Sequence, residues 1–176
     1  MSTTPTTTGT RWLTDTEQQA WRSFLNAAKI ILAEQERGMA AHGLSGTDYS
    51  VLVCLSEAPN RRLRMSELAQ TTLLEKSRLS HQITRMERAD LVRRESCPGD
   101  RRGQFAVLTE QGWDVIQRVA PHHVELVRSI FIDRLTPAQL SQLESLLGPL
   151  SAGLRSQCPT DASTSGDDEC ELTDPE

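Results

Sequence analysis

The sequence predicts a mostly α-helical chain carrying one short two-stranded hairpin, and three observations predict it. Apolar residues recur at intervals of three and four over most of the length, the spacing that puts them on one side of a helix. Two short runs, 91–95 and 104–108, have strand-like composition instead and flank a stretch holding Pro98, Gly99 and Gly103. Aromatic residues make up only 4%, so the core must be built from Leu, Ile, Val and Ala. The 176 residues suit one compact domain, or one domain with an extended dimerisation arm, and need no disulfide staples.

The elements follow in order. Residues 1–11 are Ser/Thr-rich and read as disordered. Thr14 and Glu17 form a capping box, in which each side chain satisfies the other residue's free N–H. Trp21, Phe24, Leu25, Ala28, Ile31 and Leu32 then mark one long helix from about 15 to 41, closed by Gly43 in a left-handed cap. A second helix is expected over about 45–57, with Tyr49, Leu52, Val53 and Leu55 inward, and is broken by Ala58-Pro59-Asn60. Ser66 is expected to cap a short helix over 67–71, followed by a turn at 72–74. A further helix over 75–89 puts Leu79, Ile83 and Met86 toward the core. The two strands come next, joined by eight residues, 96–103. That is long for a hairpin connection, and long loops tend to be functional. Thr109 caps a long helix bearing Trp113, Ile116, Val119, Val124, Val127 and Phe131, which Pro121 should kink. Thr136-Pro137-Ala138-Gln139 combines cap, first-turn proline and returning glutamine. It starts a last helix with Leu140, Leu143, Leu146, Leu147, Leu150 and Leu154 on one side, distorted near Gly148-Pro149.

Charge is unevenly placed. The net charge is −5, yet residues 156–176 hold seven acids and no Lys or Arg, leaving +2 on the rest. Residues 61–103 carry eleven Lys/Arg against six Asp/Glu. A basic segment inside an acidic chain favours a nucleic-acid partner. The acidic tail reads as a solvated appendage, or as a segment that mimics DNA or steers a partner. No run of 18 apolar residues exists and the N-terminus has no hydrophobic signal region, so no membrane contact and a cytoplasmic, nucleoid-associated location are expected.

Short helix, tight turn, helix, strand, basic connection, strand is the order of a winged helix-turn-helix. At 100° per residue, the face opposite Leu79, Ile83 and Met86 carries Ser77, His81, Thr84, Arg85 and Arg88, with Arg78 at its border. Arginine can bind guanine O6 and N7 with two hydrogen bonds, and Ser or His reach other base edges or phosphates. Lys76 and Ser80 belong to the same helix. Arg101 and Arg102 lie at the wing tip, where a guanidinium suits a narrow minor groove. Asp100 is expected to pair with a wing arginine and aim it. Arg61, Arg62 and Arg64 precede the unit within reach of phosphates. The expected DNA-binding set is therefore Arg64, Lys76, Ser77, Arg78, Ser80, His81, Thr84, Arg85, Asp100, Arg101 and Arg102.

The run SELAQTTLLEKSRLSHQITRMERADLVRR (66–94), followed by GDRRGQFAVLTEQG, resembles the MarR family of bacterial transcriptional regulators. The resemblance spans 66–112, and the helix order extends it to about 13–155. It implies that Asp100 and Arg102 occupy the wing's Asp-x-Arg positions and that 75–88 is the recognition helix. It also implies a two-fold dimer formed by the long terminal helices, with a ligand pocket between the dimerisation and DNA-binding parts. The expected division is a helical dimerisation region over 12–44 and 113–155, a DNA-binding domain over 45–112, and a disordered tail over 156–176. The implied function is a sequence-specific regulator, a ligand-responsive repressor acting as a homodimer on a pseudo-palindromic operator. A small-molecule effector is left open. The alternative is a winged helix used for protein contact. Three positions depart from the family pattern: Leu73 and Asp90 stand where glycine is common, and Glu75 replaces Ser or Asn. Glu75 either reads cytosine N4 or merely caps.

Other residues carry two readings each. Trp21, Phe24 and Tyr49 suit a core or an effector pocket. His122 and His123 diverge by about 100° on a helix, which does not converge on one metal ion, and no metal or cofactor is expected. The four cysteines match no zinc or disulfide spacing. Cys54 is expected to pack as a small hydrophobe, and Cys97 to be an exposed thiol near Arg93 and Arg94 or a plain free thiol. No P-loop, GxGxxG, HExxH or GxSxG motif occurs, so an enzyme is not expected.

Overall fold

The computed structural model describes residues 9–97 and 100–157; the side chains of Arg101, Arg102 and residues 155–157 lie outside that description. The elements are α1 (Asp15–Ala40), α2 (Gly46–Glu57), a 3-10 turn (Pro59–Arg61), β1 (Arg62–Arg64), α3 (Met65–Thr72) and α4 (Lys76–Arg88). They continue with β2 (Val92–Cys97), β3 (Asp100–Leu108), α5 (Glu110–Ile130), a second 3-10 turn (Ile132–Arg134) and α6 (Pro137–Gln157). The chain divides into two units, one through Glu34 and one from Gln35 onward.

Local chemistry sets the helix ends. Thr14 N–H donates to Glu17 Oε2 at 2.8 Å while Glu17 N–H donates to Thr14 Oγ1 at 3.3 Å, the expected box. Thr136 and Gln139 repeat it at the start of α6, at 2.9 and 3.3 Å. Thr109 Oγ1 accepts from Gly112 N–H at 2.9 Å and donates to the Asp90 carbonyl at 2.6 Å, tying the start of α5 to the end of α4. Three helices end alike. Leu44 N–H reaches the Met39 carbonyl (3.1 Å), Leu74 N–H that of Ala69 (3.0 Å), and Leu91 N–H that of Met86 (3.0 Å). Each closure needs one left-handed residue before the donor, and these are Gly43 (φ 74°), Leu73 (φ 55°) and Asp90 (φ 54°). The two non-glycine positions, Leu73 and Asp90, are those where the resembled family pattern commonly has glycine. Pro121 and Pro149 lie inside α5 and α6, and neither ends its helix.

The core of the second unit is aliphatic. Val51, Leu52 and Leu55 of α2 meet Leu68 of α3, Leu79, Ile83 and Met86 of α4, Val92 of β2, Ala106 of β3 and Val119 of α5, all buried. Each of the larger side chains contributes about 1.5–3 kcal/mol by burial. Val51 takes an inward place that the sequence assigned to Val53, which is only half-buried.

Three expectations change. The sheet has three strands in the order β1-β3-β2, because Arg62, Leu63 and Arg64 pair with Val107, Ala106 and Phe105. Periodicity could not mark so short a strand. The cap of α3 is Arg64, not Ser66, and Glu67 Oε2 accepts the Arg64 N–H at 3.0 Å. The connection between the wing strands is also far shorter than eight residues. Strand pairing continues to Cys97↔Asp100, leaving only 98–99, which lie outside the described residues. A register shift at Ser96/Cys97 absorbs the difference, since Ser96 pairs with Gln104. Gly103 stands in that bulge: a Cβ there would lie 2.2 Å from Asp100 Oδ2, so any larger residue would displace the Asp100 side chain.

Candidate nucleic-acid interface

Helix α4 buries Leu79, Ile83 and Met86 at about 1% exposure or less, which turns its other faces outward. Lys76, Ser77, Arg78 and His81 are exposed there, with no hydrogen bond or ion pair from their side chains to other described residues. Glu75 is the N-cap but its side chain makes no cap hydrogen bond, so of its two readings the capping one is not realised.

The remaining α4 residues of the expected set are engaged within the molecule. Arg94 of β2 ion-pairs with Glu87, its Nη2 donates to the Ser80 carbonyl (2.9 Å) and Thr84 Oγ1 (3.1 Å), and its N–H donates to Glu87 Oε1 (2.9 Å). This side chain clamps the wing to the middle of α4, and Ser80 and Thr84 are part of the clamp. Arg85 donates at 2.8 Å to both oxygens of Asp48, which is 5% exposed at the start of α2. Asp48 also accepts from Ser45 N–H (2.8 Å), Ser45 Oγ (2.6 Å) and the Gln82 amide. A buried carboxylate is tolerable only with such a set of donors. Two turns of α4 are thereby fixed to the α1–α2 junction.

The cations before α3 are engaged as well. Arg64 Nη1 lies 3.4 Å from Asp100 Oδ2, joining the wing to the start of α3. Arg64 is brought alongside Asp100 because β1 lies beside β3 in the sheet; the expected pairing of Asp100 with a wing arginine falls on the Arg101 and Arg102 side chains, which lie outside the described residues. Arg62 and Arg64 lie over the Phe105 ring at 5.0 and 5.7 Å. Arg61 stacks on Trp113 at 3.9 Å and pairs with Glu110 at 3.3 Å. Arg101 and Arg102 have backbone in β3, and their side chains lie outside the described residues. Cys97 is buried (5% exposed), contrary to the exposed-thiol reading, because the wing strands pair out to it. Burial and the nearby Glu57 push the Cys54 thiol upward, consistent with packing and not with a reactive thiolate.

The aromatic candidates fall in different places. Trp21 and Phe24 stack on each other in α1 at 6.2 Å and are about half exposed within their own unit. Tyr49 lines a cleft between α2 and α5 with Val53, Glu57, Trp113, Ile116 and His123. The Tyr49 and His123 rings are 4.5 Å apart, while His122 turns away to stack on His42 at 5.0 Å, so the adjacent histidines diverge as expected. Sequence reading missed Asp48 altogether, the clamp made by Arg94 and the place of His123 in the cleft. Only Asp48 left a local signal, the Ser45-x-x-Asp48 box; the other two act across elements distant in sequence.

The MarR family model matches residues 42–103, the stretch from the α1–α2 turn into the second wing strand. AbsC, a MarR family transcriptional regulator from Streptomyces coelicolor, is 54% identical, with a TM-score of 0.81 over 84% of this chain and 100% of its own. Sco3205 of the same organism, a MarR family regulator solved in complex with DNA, is 43% identical, with a TM-score of 0.81 over 89% of this chain and 97% of its own. The Bacillus subtilis (strain 168) HTH-type transcriptional regulator YkoM is 28% identical over 78% of this chain and 86% of its own. A shared fold and identity at more than half of the residues aligned with AbsC lead to one conclusion: the chain belongs to the MarR family of transcriptional regulators.

Proposed function

We propose that this chain binds duplex DNA in a sequence-specific manner, as a homodimeric repressor on a pseudo-palindromic operator that responds to a small molecule. One observation carries the DNA reading: α4 holds Lys76, Ser77, Arg78 and His81 exposed, opposite a fully buried stripe and beside a wing clamped to the same helix by Arg94. That is the geometry needed to offer hydrogen-bonding side chains to a major groove while a second cation reaches a neighbouring groove. The DNA complex of Sco3205 supports it. In this reading Lys76, Ser77, Arg78 and His81 are the base- and phosphate-facing group, and Arg101 and Arg102 are the wing contacts. Ser80, Thr84, Arg85, Arg64 and Asp100 hold that group in place and touch DNA only at its edges. Exposed apolar side chains support self-association: Trp21, Phe24, Ile30 and Leu32 on α1, and Leu146, Leu150 and Leu154 on α6. The cleft behind Tyr49 supports a ligand response.

Binding across a salt series tests the reading. Arg102→Ala is expected to weaken operator binding and lower the salt slope by about one unit, and Arg78→Ala to cost about 1–3 kcal/mol on the operator. An unchanged slope for Arg102→Ala removes the wing role. Failure to retain any genomic fragment at low salt, with a co-purifying protein instead, favours a protein-contact module.

A further inference from the structure

The cleft between α2 and α5 lies within the unit from Gln35 onward and is an open depression of about 400 Å³, with room for a small aromatic molecule. Tyr49, Val53, Trp113 and Ile116 make its walls, two of them flat rings. Its charge is one-sided. Among the described residues no Lys or Arg lines it. Arg61 stacks on Trp113 at 3.9 Å, but its charge is matched by Glu110 at 3.3 Å. His123 is kept below its ordinary value by burial, so its imidazole is neutral at pH 7, and its Nδ1 is buried without a hydrogen-bond partner among the described residues. Glu57 lines the cleft from an exposed position and forms no ion pair among the described residues. Its charge is felt inside: after burial, it is the second cause raising both the Tyr49 hydroxyl and the Cys54 thiol.

We propose that this cleft takes a planar aromatic ligand bearing a cationic amine, and discriminates against a carboxylate of the same shape. Tyr49 and Trp113 supply ring surfaces, on which an ammonium group is also favoured. Glu57 supplies the counter-charge, and among the described residues no lining cation is there to receive an anion. The consequence for DNA rests on the ligand-responsive reading above, whereas the ligand class rests on the cleft alone.

Three matched phenols separate charge from shape: tyramine (cation), 4-ethylphenol (neutral) and 4-hydroxyphenylacetate (anion). Calorimetric titration of the full chain at low ionic strength is expected to rank them in that order. About tenfold is expected between the ends, a modest figure because Glu57 faces solvent. Glu57→Gln should bring the ends to within about threefold, and Glu57→Lys should invert the order; the exposed position leaves folding unaffected. The proposal is overturned if the carboxylate binds as tightly as the amine. It also fails if the ranking survives Glu57→Gln, or if none of the three binds at millimolar concentration. Tyramine binding that leaves operator affinity unchanged would refute the ligand-responsive reading and leave the ligand class standing.

Discussion

Arg85 has the sequence position of a base reader and the structural position of a tie, and a mutant cycle with Asp48 separates the two. Asp48 is 5% exposed and accepts two bonds from Arg85 at 2.8 Å, two from Ser45 at 2.8 and 2.6 Å, and one from the Gln82 amide. Asp48→Ala leaves the Ser45 N–H and the Gln82 amide without an acceptor, each worth about 1 kcal/mol net, and removes a charge-assisted pair. The Arg85 side chain is 58% exposed, so water reclaims part of its loss. The expected cost is about 3 kcal/mol. Arg85→Ala strips the buried carboxylate of its counter-charge but leaves the Ser45 and Gln82 donors, for about 2 kcal/mol, below the 3–5 typical of a fully buried pair. The double variant should show a coupling of about 1.5 kcal/mol. Urea unfolding followed by circular dichroism, at one fixed protein concentration, measures all three. If Arg85→Ala is as stable as the parent, or the two losses add to within about 0.5 kcal/mol, the tie is refuted and Arg85 returns to the DNA-facing set.

Two further perturbations follow from the same geometry. Leu73 sits at φ 55° with 67% of its surface exposed; Leu73→Gly is expected to be neutral or to stabilise by up to about 1 kcal/mol, relieving left-handed strain at little cost in burial, and a destabilised variant in urea melts would contradict that. His123 titrates below the ordinary 6.5 because it is buried; as pH falls through that value the unfolded chain binds the proton first, so stability should decline toward the lowered folded value and stay level above 6.5. His123→Phe should flatten that decline in a pH series of melts, and an unaltered slope would assign it to another group.

The sequence by itself determined the helices and, α3 apart, the caps that start them, because those are local. Apolar spacing on α4 names its own buried stripe, and Thr14-x-x-Glu17 and Thr136-x-x-Gln139 carry both halves of their caps within four residues. It also identified the left-handed cap at Gly43, a conformation glycine adopts without strain. Tertiary structure decided what each charged side chain is for. Eleven cations in one basic segment look alike in a string, but Arg64, Arg85 and Arg94 each meet a carboxylate from 7 to 37 residues away. Those meetings exist only once β1 pairs with β3 and α4 packs against α2. A hydrogen bond over such a separation leaves no periodic trace, and so the division between cations that grip the fold and cations left to face solvent is a property of packing alone.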